Sequence, residues 1–482
     1  MKTMQRIACG GMPLWLAACA IQAPPATNIF AATPLQWHAA LPADNGVAGM
    51  PHNGTLTDLS QWWEQQGDPL LVQLIAAAQA VSPTIASAKS RIEQAQAARV
   101  SAGAALLPSL DASLSASRSS AQPPLPMATV AQGGLQSSWE LDLFGGNRAA
   151  RDGTQARLEG AQAGWHDARV AVAAEVADQY YSVRACEKLL AVTRSDTASR
   201  VETSRLLQLS AAAGFEASAT AALARASAAE GNGRVTLQHT QCDLGIKALV
   251  ALTALAEPEL RQKLAATPGD LPQSATLNIA SLPAQILAQR PDVFRAESEV
   301  TAASAELGST QALRYPRLTL SGSVGVANFR TGGVSTNLNT WSIGPLALTL
   351  PLFDSGKRAA NIAAAQARYD EAVAQYRDRV RQAVREVEQA LVNLQSTAAR
   401  NEDARAAVDG YLASFNATES RYSSGLASLV ELEEARRTRL AAEVALVTLQ
   451  RERVAAWIAL YRAAGGGWSK AQLAPVAVSA QP

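Results

Sequence analysis

The most chemistry-rich short stretch of the chain is Val430-Glu431-Leu432-Glu433-Glu434-Ala435. Glu431 and Glu434 stand three residues apart, which puts both carboxylates on one face of a helix. Such a pair repels anions and attracts cations. The plain alternative is a solvated acidic helix face. Two cysteines form a second candidate: Cys186 and Cys242 each lie 28 residues from Gly214, one before it and one after. In an antiparallel helical hairpin turning at that glycine they sit at one height. Neighbouring helix axes run about 8–10 Å apart, so bonding requires that the two side chains face each other. A disulfide and a pair of buried free thiols both stay open.

Other chemistry is thin. His38, His52, His166 and His239 are scattered, with no metal-ligand spacing, and no glycine-rich phosphate loop occurs. The expectation is a non-enzyme with no cofactor and no resident metal. The 42 basic and 41 acidic residues nearly cancel, so no bulk charge attracts nucleic acid. Aromatics make up only 5% of the 482 residues while alanine abounds, a mix that suits long, closely packed helices. No run of 18 apolar residues follows the N-terminus, which excludes a spanning helix but not a spanning barrel.

The first residues read as a leader. Lys2 and Arg6 precede a modest apolar stretch that ends Leu16-Ala17-Ala18-Cys19. This resembles a bacterial lipobox, with residues 1–18 removed and Cys19 lipidated. The plain alternative is a signal peptide with an incidental Cys; Ala20, not Asp, after Cys19 resembles the lipoprotein pattern for outer-membrane sorting, and residues 19–57, rich in Ala, Pro, Thr and Asn, read as an extended lipid-anchored tether.

Behind these residues stands a repeat. Shifted by 211, the chain aligns with itself without a gap from Gln155 to about Leu252, and seven of the 21 positions in 155–175 are identical. WELDLFGGNRAA from Trp139 and TLPLFDSGKRAA from Thr349 share one design: an apolar run, Leu-Phe, a Gly-containing turn, and a basic residue opening an Ala-rich stretch. The chain therefore reads as two copies of one unit, residues 58–252 and 283–464, separated by 253–282 and followed by 465–482. Each copy opens with a helix (68–104; 283–313), broken at Pro108 or Pro316. A β-hairpin follows (about 108–143; about 316–352), then two long helical stretches turning at Gly214 or Gly425. The helices expected over 148–212 and 357–423 are about 95–100 Å long, too long to stand without lateral partners.

The strands alternate. Leu110, Ala112 and Leu114 oppose Ser109, Asp111 and Ser113; Leu135, Trp139 and Leu141 oppose Gln136, Glu140 and Asp142. In the fourth segment Leu346, Leu348 and Leu350 share a parity while Trp341 and Ile343 take the other, with Pro345 between them as the mark of a bulge or an edge strand. A soluble sheet with one wet face also alternates. Segments of about ten residues, a wet face of small polar residues carrying Asp111, Glu140 and Asp142, and Phe144, Tyr315, Phe353, Phe329 and Trp341 near the ends favour a membrane barrel. Four strands cannot close one, and an open edge cannot face lipid, so the chain must pool strands with its copies.

WELDLFG, RPDVFRAESEVTAASAELGSTQALRYPRLTLSGSVG and LPLFDSGKR resemble the TolC-like outer-membrane efflux channels, in the NodT-type lipoprotein branch serving resistance-nodulation-division pumps. The resemblance covers about Leu56 to Ala464. It implies an α+β membrane protein: a homotrimer with a 12-stranded outer-membrane β-barrel, four strands per chain, continued by a periplasmic α-helical barrel with a mixed equatorial belt. It implies Asp111, Glu140 and Asp142 in the barrel lumen and Glu431 and Glu434 at the periplasmic aperture, with Glu where the family has Asp. The first copy has Thr220 and Leu223 at the matching positions. The tips, Gly214-Phe215 and Gly425-Leu426, would dock a periplasmic adaptor. The implied function is passive exit of drugs or other small toxic compounds received from the adaptor and an inner-membrane pump. A duct for a copper or silver pump, a type I protein-secretion duct, and a barrel-free coiled-coil lipoprotein are the competing readings.

Overall fold

The computed structural model describes residues 62–65, 67–120, 127–267, 269, 271, 272, 287, 289–468 and 470, with Pro24, Trp37 and Ala39 as isolated positions. Cys19 and most of the tether and tail lie outside the described residues, as does much of 268–288. The chain divides into two compact units, one built from Met1–Ala31, Lys89–Ala163 and Phe294–Arg379, the other from Ala32–Ala88, Gly164–Val293 and Val380–Pro482.

Among the described residues the elements run α1 (Trp62–Gln65), α2 (Pro69–Val81), α3 (Pro83–Ala104), β1 (Ser109–Ser119), β2 (Ala128–Leu141), α4 (Gly146–Ala212), α5 (Ser218–Thr253), α6 (Glu257–Ala266), α7 (Pro291–Ala312), β3 (Arg317–Thr331), β4 (Val334–Thr349), α8 (Lys357–Ser423) and α9 (Leu429–Ala463). The opening helix expected over 68–104 is two helices. Pro83 cannot donate to the preceding turn, and the axis bends by 50° at Ser82-Pro83. The helix expected from 283 is described from Pro291, where the rigid proline φ suits a first helical turn. α4 and α8 each run 67 residues, about 100 Å. No single described helix is long and apolar enough to cross a membrane.

The first unit carries one antiparallel sheet in the order β1-β2-β3-β4. Asp111 faces Gln136, which faces Ser323, which faces Ser342. One row later Ala112 faces Leu135, Val324 and then Trp341. One sheet face is therefore polar and the other apolar, as the pleat demands. The fourth strand obeys this rule through an irregularity. The register shifts between Leu320 and Gly322 where the cis Gly344-Pro345 bond lies, so Leu346 and Leu348 pair with Leu320 and Leu318 while Ile343 and Trp341 pair with Gly322 and Val324. One extra residue returns both parities to the apolar face. β2 and β4 begin earlier than alternation suggests, because Gly133, Gly134 and the Asn/Thr-rich start of β4 carry no apolar signal. Gly134 and Gly325 face each other so closely that a Cβ on either would sit 2.7 Å from a backbone oxygen of the other strand. One correction to the expected aromatic ends follows: Trp341 lies in the middle of β4, whereas Phe329 lies near the loop end of β3, on the polar face and paired with Val130 and Thr336.

The second unit holds a core of Trp62, Leu71, Leu74, Tyr180, Leu249, Trp457 and Tyr461 among others. The Trp62 ring lies 5.6 Å from that of Trp457 and 5.8 Å from that of Tyr461. Asp68 starts α2: one carboxylate oxygen accepts from the Leu70 and Leu71 amides, and the other accepts from the Tyr180 hydroxyl at 2.7 Å. Burial and that carboxylate push the Tyr180 phenol well above its ordinary range. Buried Arg290 grips Asp292 with both arms and reaches Glu386 and the Ala463 carbonyl, which fixes the start of α7.

Candidate functional site

The hairpin tips share one geometry. At the end of α4 the Phe215 amide donates to Ser210 and the Gly214 amide to Ala211; at the end of α8 the Leu426 amide donates to Arg421 and the Gly425 amide to Tyr422. This is the Schellman arrangement, and it needs a left-handed residue: Gly214 has φ +78 and Gly425 φ +74. In that motif the apolar residue after the glycine ordinarily packs on the residue five earlier. Here those positions are Ser210 and Arg421; Phe215 is 86% exposed and Leu426 71% exposed. The helices that leave the tips begin differently. Ala217 gives α5 no side-chain cap, whereas Ser428 and Glu431 give α9 a reciprocal capping box.

That box decides what the acidic stretch does. The Glu431 carboxylate accepts from the Ser428 amide at 2.6 Å, with Arg421 3.8 Å away. The Ser428 backbone bond first, then its hydroxyl and the Arg421 charge, hold Glu431 below the usual carboxylate range. Glu434 is exposed and pairs with Arg437 at 2.5 Å. The acid between them is less exposed and joins two buried arginines. Glu433 binds Arg436 at 2.8 Å, accepts from the Ser227 hydroxyl at 2.8 Å, and pairs with Arg200. Arg200 also holds the fully buried Asp196 at 2.8 Å, and Arg436 donates to the Ser199 and Thr203 hydroxyls. Arg439 lies 4.2 Å over the Phe415 ring. Four helices, α4, α5, α8 and α9, thus meet in one buried polar cluster. Sequence reading missed this cluster. Its signal was Asp196 four before Arg200 and Glu433 three before Arg436, spacings that mark a pair without showing that it is buried.

Cys186 and Cys242 are bonded, with Cα atoms 5.5 Å apart, linking α4 to α5. The matching positions of the second hairpin hold Thr397 and Arg453, and the nearby cross-helix link is Arg400 to Glu452 at 2.8 Å.

In the sheet, Asp111 and Glu140 fall on the polar face. Asp142 does not. It lies beyond the last residue of β2, where its carboxylate caps α4 by accepting from the Asn147 and Arg148 amides and pairs with the Arg148 side chain at 3.2 Å. Asp354 repeats this device at the other junction, accepting from the Gly356 and Arg358 amides and pairing with Arg358 at 2.8 Å. The amides chiefly hold Asp354 below the usual carboxylate range. The opposite sheet face offers bare hydrocarbon: Leu114 is 89% exposed, Ile343 84% and Trp341 75%. A contiguous apolar patch over four strands marks a surface that meets lipid or another protein, not water.

A bare apolar sheet face, a polar face behind it, and two 67-residue helices are the parts of a membrane-associated conduit protein. Residues 74–253 and 282–466 match the outer membrane efflux protein family model, and the chain belongs to that family. It is an outer-membrane channel protein of efflux systems, with a large periplasmic helical part. It is 28% identical over 419 residues to the solvent efflux pump outer membrane protein SrpC of Pseudomonas putida, covering 84% of this chain and 87% of that one. It is 28% identical over 449 residues to the pyoverdine export outer membrane protein OpmQ of Pseudomonas aeruginosa, covering 89% and 93%. The solved outer-membrane channel OprN superposes with a TM-score of 0.79 at 27% identity, covering 91% and 98%.

Proposed function

We propose that three copies of the chain pool their four-stranded sheets into one outer-membrane barrel, with the apolar faces toward lipid and Asp111 and Glu140 toward the lumen. The observation that carries this is the exposed apolar face on a sheet whose edges, β1 and β4, have no further strand partner among the described residues. Neither edge can face hydrocarbon unpaired. In this reading the chain is two copies of one hairpin-plus-helices unit, and each Asp-capped junction, at Asp142 and Asp354, is where a barrel strand hands over to a periplasmic helix.

The exposed Phe215 and Leu426 dock a periplasmic adaptor, which joins the duct to an inner-membrane resistance-nodulation-division pump. Glu434, repeated in each copy, supplies negative charge near the periplasmic mouth, with Glu431 contributing while it caps its helix. Cys19 carries the lipid anchor. The cargo is small and amphipathic, such as organic solvents or drugs, a reading supported by similarity along 84% of the chain to a solvent efflux protein.

A susceptibility panel on a deletion strain tests this, covering solvents, unrelated drugs, copper and silver. Hypersensitivity to several unrelated organic compounds is expected. Sensitivity to copper or silver alone would move the duct to metal export, and loss of a secreted protein without drug sensitivity would move it to protein secretion.

A further inference from the structure

We propose that the chain is a client of a periplasmic thiol–disulfide oxidoreductase, which installs the Cys186–Cys242 bridge before the first hairpin packs. The inference rests on the periplasmic placement of the long helices. The chain holds four cysteines. Cys9 belongs to the leader and Cys19 is the lipidation position, so Cys186 and Cys242 are the thiols left to pair. The bond closes a sequence separation of 56 residues that contains the whole first tip. In the folded hairpin Cys242 is only 5% exposed and Cys186 is half-buried. An oxidising protein must bring its own disulfide in line with the attacking sulfur, and a mixed disulfide at Cys186 would occupy the side of that residue that faces buried Cys242 in the packed hairpin. Oxidation therefore precedes packing.

The chemistry closes in two exchanges. Cys186, translocated first, attacks the disulfide of the oxidoreductase; one partner sulfur leaves and takes up the thiol proton, and a mixed disulfide remains. Cys242 then attacks the Cys186 sulfur and expels the second partner sulfur, which takes up the remaining proton. Two thiols are oxidised to one disulfide and the partner is reduced to a dithiol. The bond then fixes the axial register of α4 against α5. The second hairpin has no such pin: Thr397 and Arg453 occupy the matching positions, and Arg400–Glu452 is a pair whose side chains are about half exposed. Such surface pairs contribute little. Register in the second hairpin is left to its capping box and packing.

The test counts thiols on the full chain by maleimide-polyethylene-glycol labelling under denaturing conditions, in cells with and without the dithiol-oxidising enzyme. Expected are no labels in proficient cells, two labels in deficient cells, and a reduced amount of membrane-embedded chain in the deficient cells. The double variant Cys186→Ser with Cys242→Ser is expected to accumulate to one level in both strains. Equal oxidation of the wild-type chain in both strains would overturn the proposal, as would a double variant that depends on the enzyme as strongly as the wild type. Failure of the duct reading would show differently, as fractionation away from the outer membrane in both strains with the thiol count unaltered.

Discussion

Arg157 and Arg368, 211 positions apart in the chain, hold the two oxygens of a single carboxylate: Arg157 reaches Glu306 at 2.9 Å and Arg368 reaches it at 2.6 Å. α7 thus carries one acid that ties down the upstream parts of both long helices. The Arg157 hydrogen bond leads in holding Glu306 below the usual carboxylate range, with Arg368 adding to it. All three side chains are about a third to two-thirds exposed, so each pair contributes about 0.2–1 kcal/mol. Glu306→Gln is expected to lower the thermal midpoint slightly. Double-mutant cycles against Arg157→Gln and Arg368→Gln should each return a coupling below about 1 kcal/mol. A coupling several times larger would mean that the triad is buried in the assembled protein.

The Arg200–Glu433–Arg436 cluster should behave in the opposite way. Arg200 and Arg436 are almost fully buried, and Glu433→Ala removes the acid that pairs with Arg436 while Arg200 keeps Asp196. Breaking a buried pair from one side costs on the order of 3 kcal/mol. Replacing the exposed neighbour, Glu434→Ala, should cost less than about 0.5 kcal/mol. Comparing the two unfolding midpoints checks this directly; equal losses would refute the assignment of Glu433 as the acid that holds the buried arginines.

The tips separate strain from docking. Nothing lies within 4 Å of a Cβ built on Gly214 or Gly425, so Gly→Ala at either site costs only the left-handed backbone, about 1–2 kcal/mol. Phe215→Ser and Leu426→Ser remove exposed side chains and should leave the thermal midpoint unchanged while lowering adaptor co-purification and solvent tolerance. Normal adaptor capture by the double variant would place docking elsewhere.

The capping box gives a pH signature. Glu431 is depressed in the folded chain, so its contribution is fully present above the unfolded carboxylate value of about 4.3 and is lost as pH falls through the lower folded value. The stability difference between wild type and Glu431→Gln should be present at about pH 6 and shrink toward about pH 3. A difference independent of pH across that range would show that the carboxylate charge does not act through this cap.

Much of this protein was set by sequence alone, because its signals are local and periodic. Alternation in β1 and β3, the lengths of α4 and α8, and the turns at Gly214 and Gly425 follow from side-chain parity, helix propensity and backbone freedom, none of which needs a distant partner. Other features only the tertiary structure could decide. The broken parity around Pro345 marked a candidate bulge in β4, but that one extra residue there restores the apolar face shows only in the register against β3. Asp142 continues the strand pattern in sequence, yet the start of α4 turns back to claim its carboxylate. In the acidic stretch, spacing drew attention to Glu431 and Glu434. At about 100° per residue Glu433 points to another side of the same helix, and only the position of α4 makes that the buried side. Local rules fix which residues share a face, whereas the packing of distant helices fixes what that face meets.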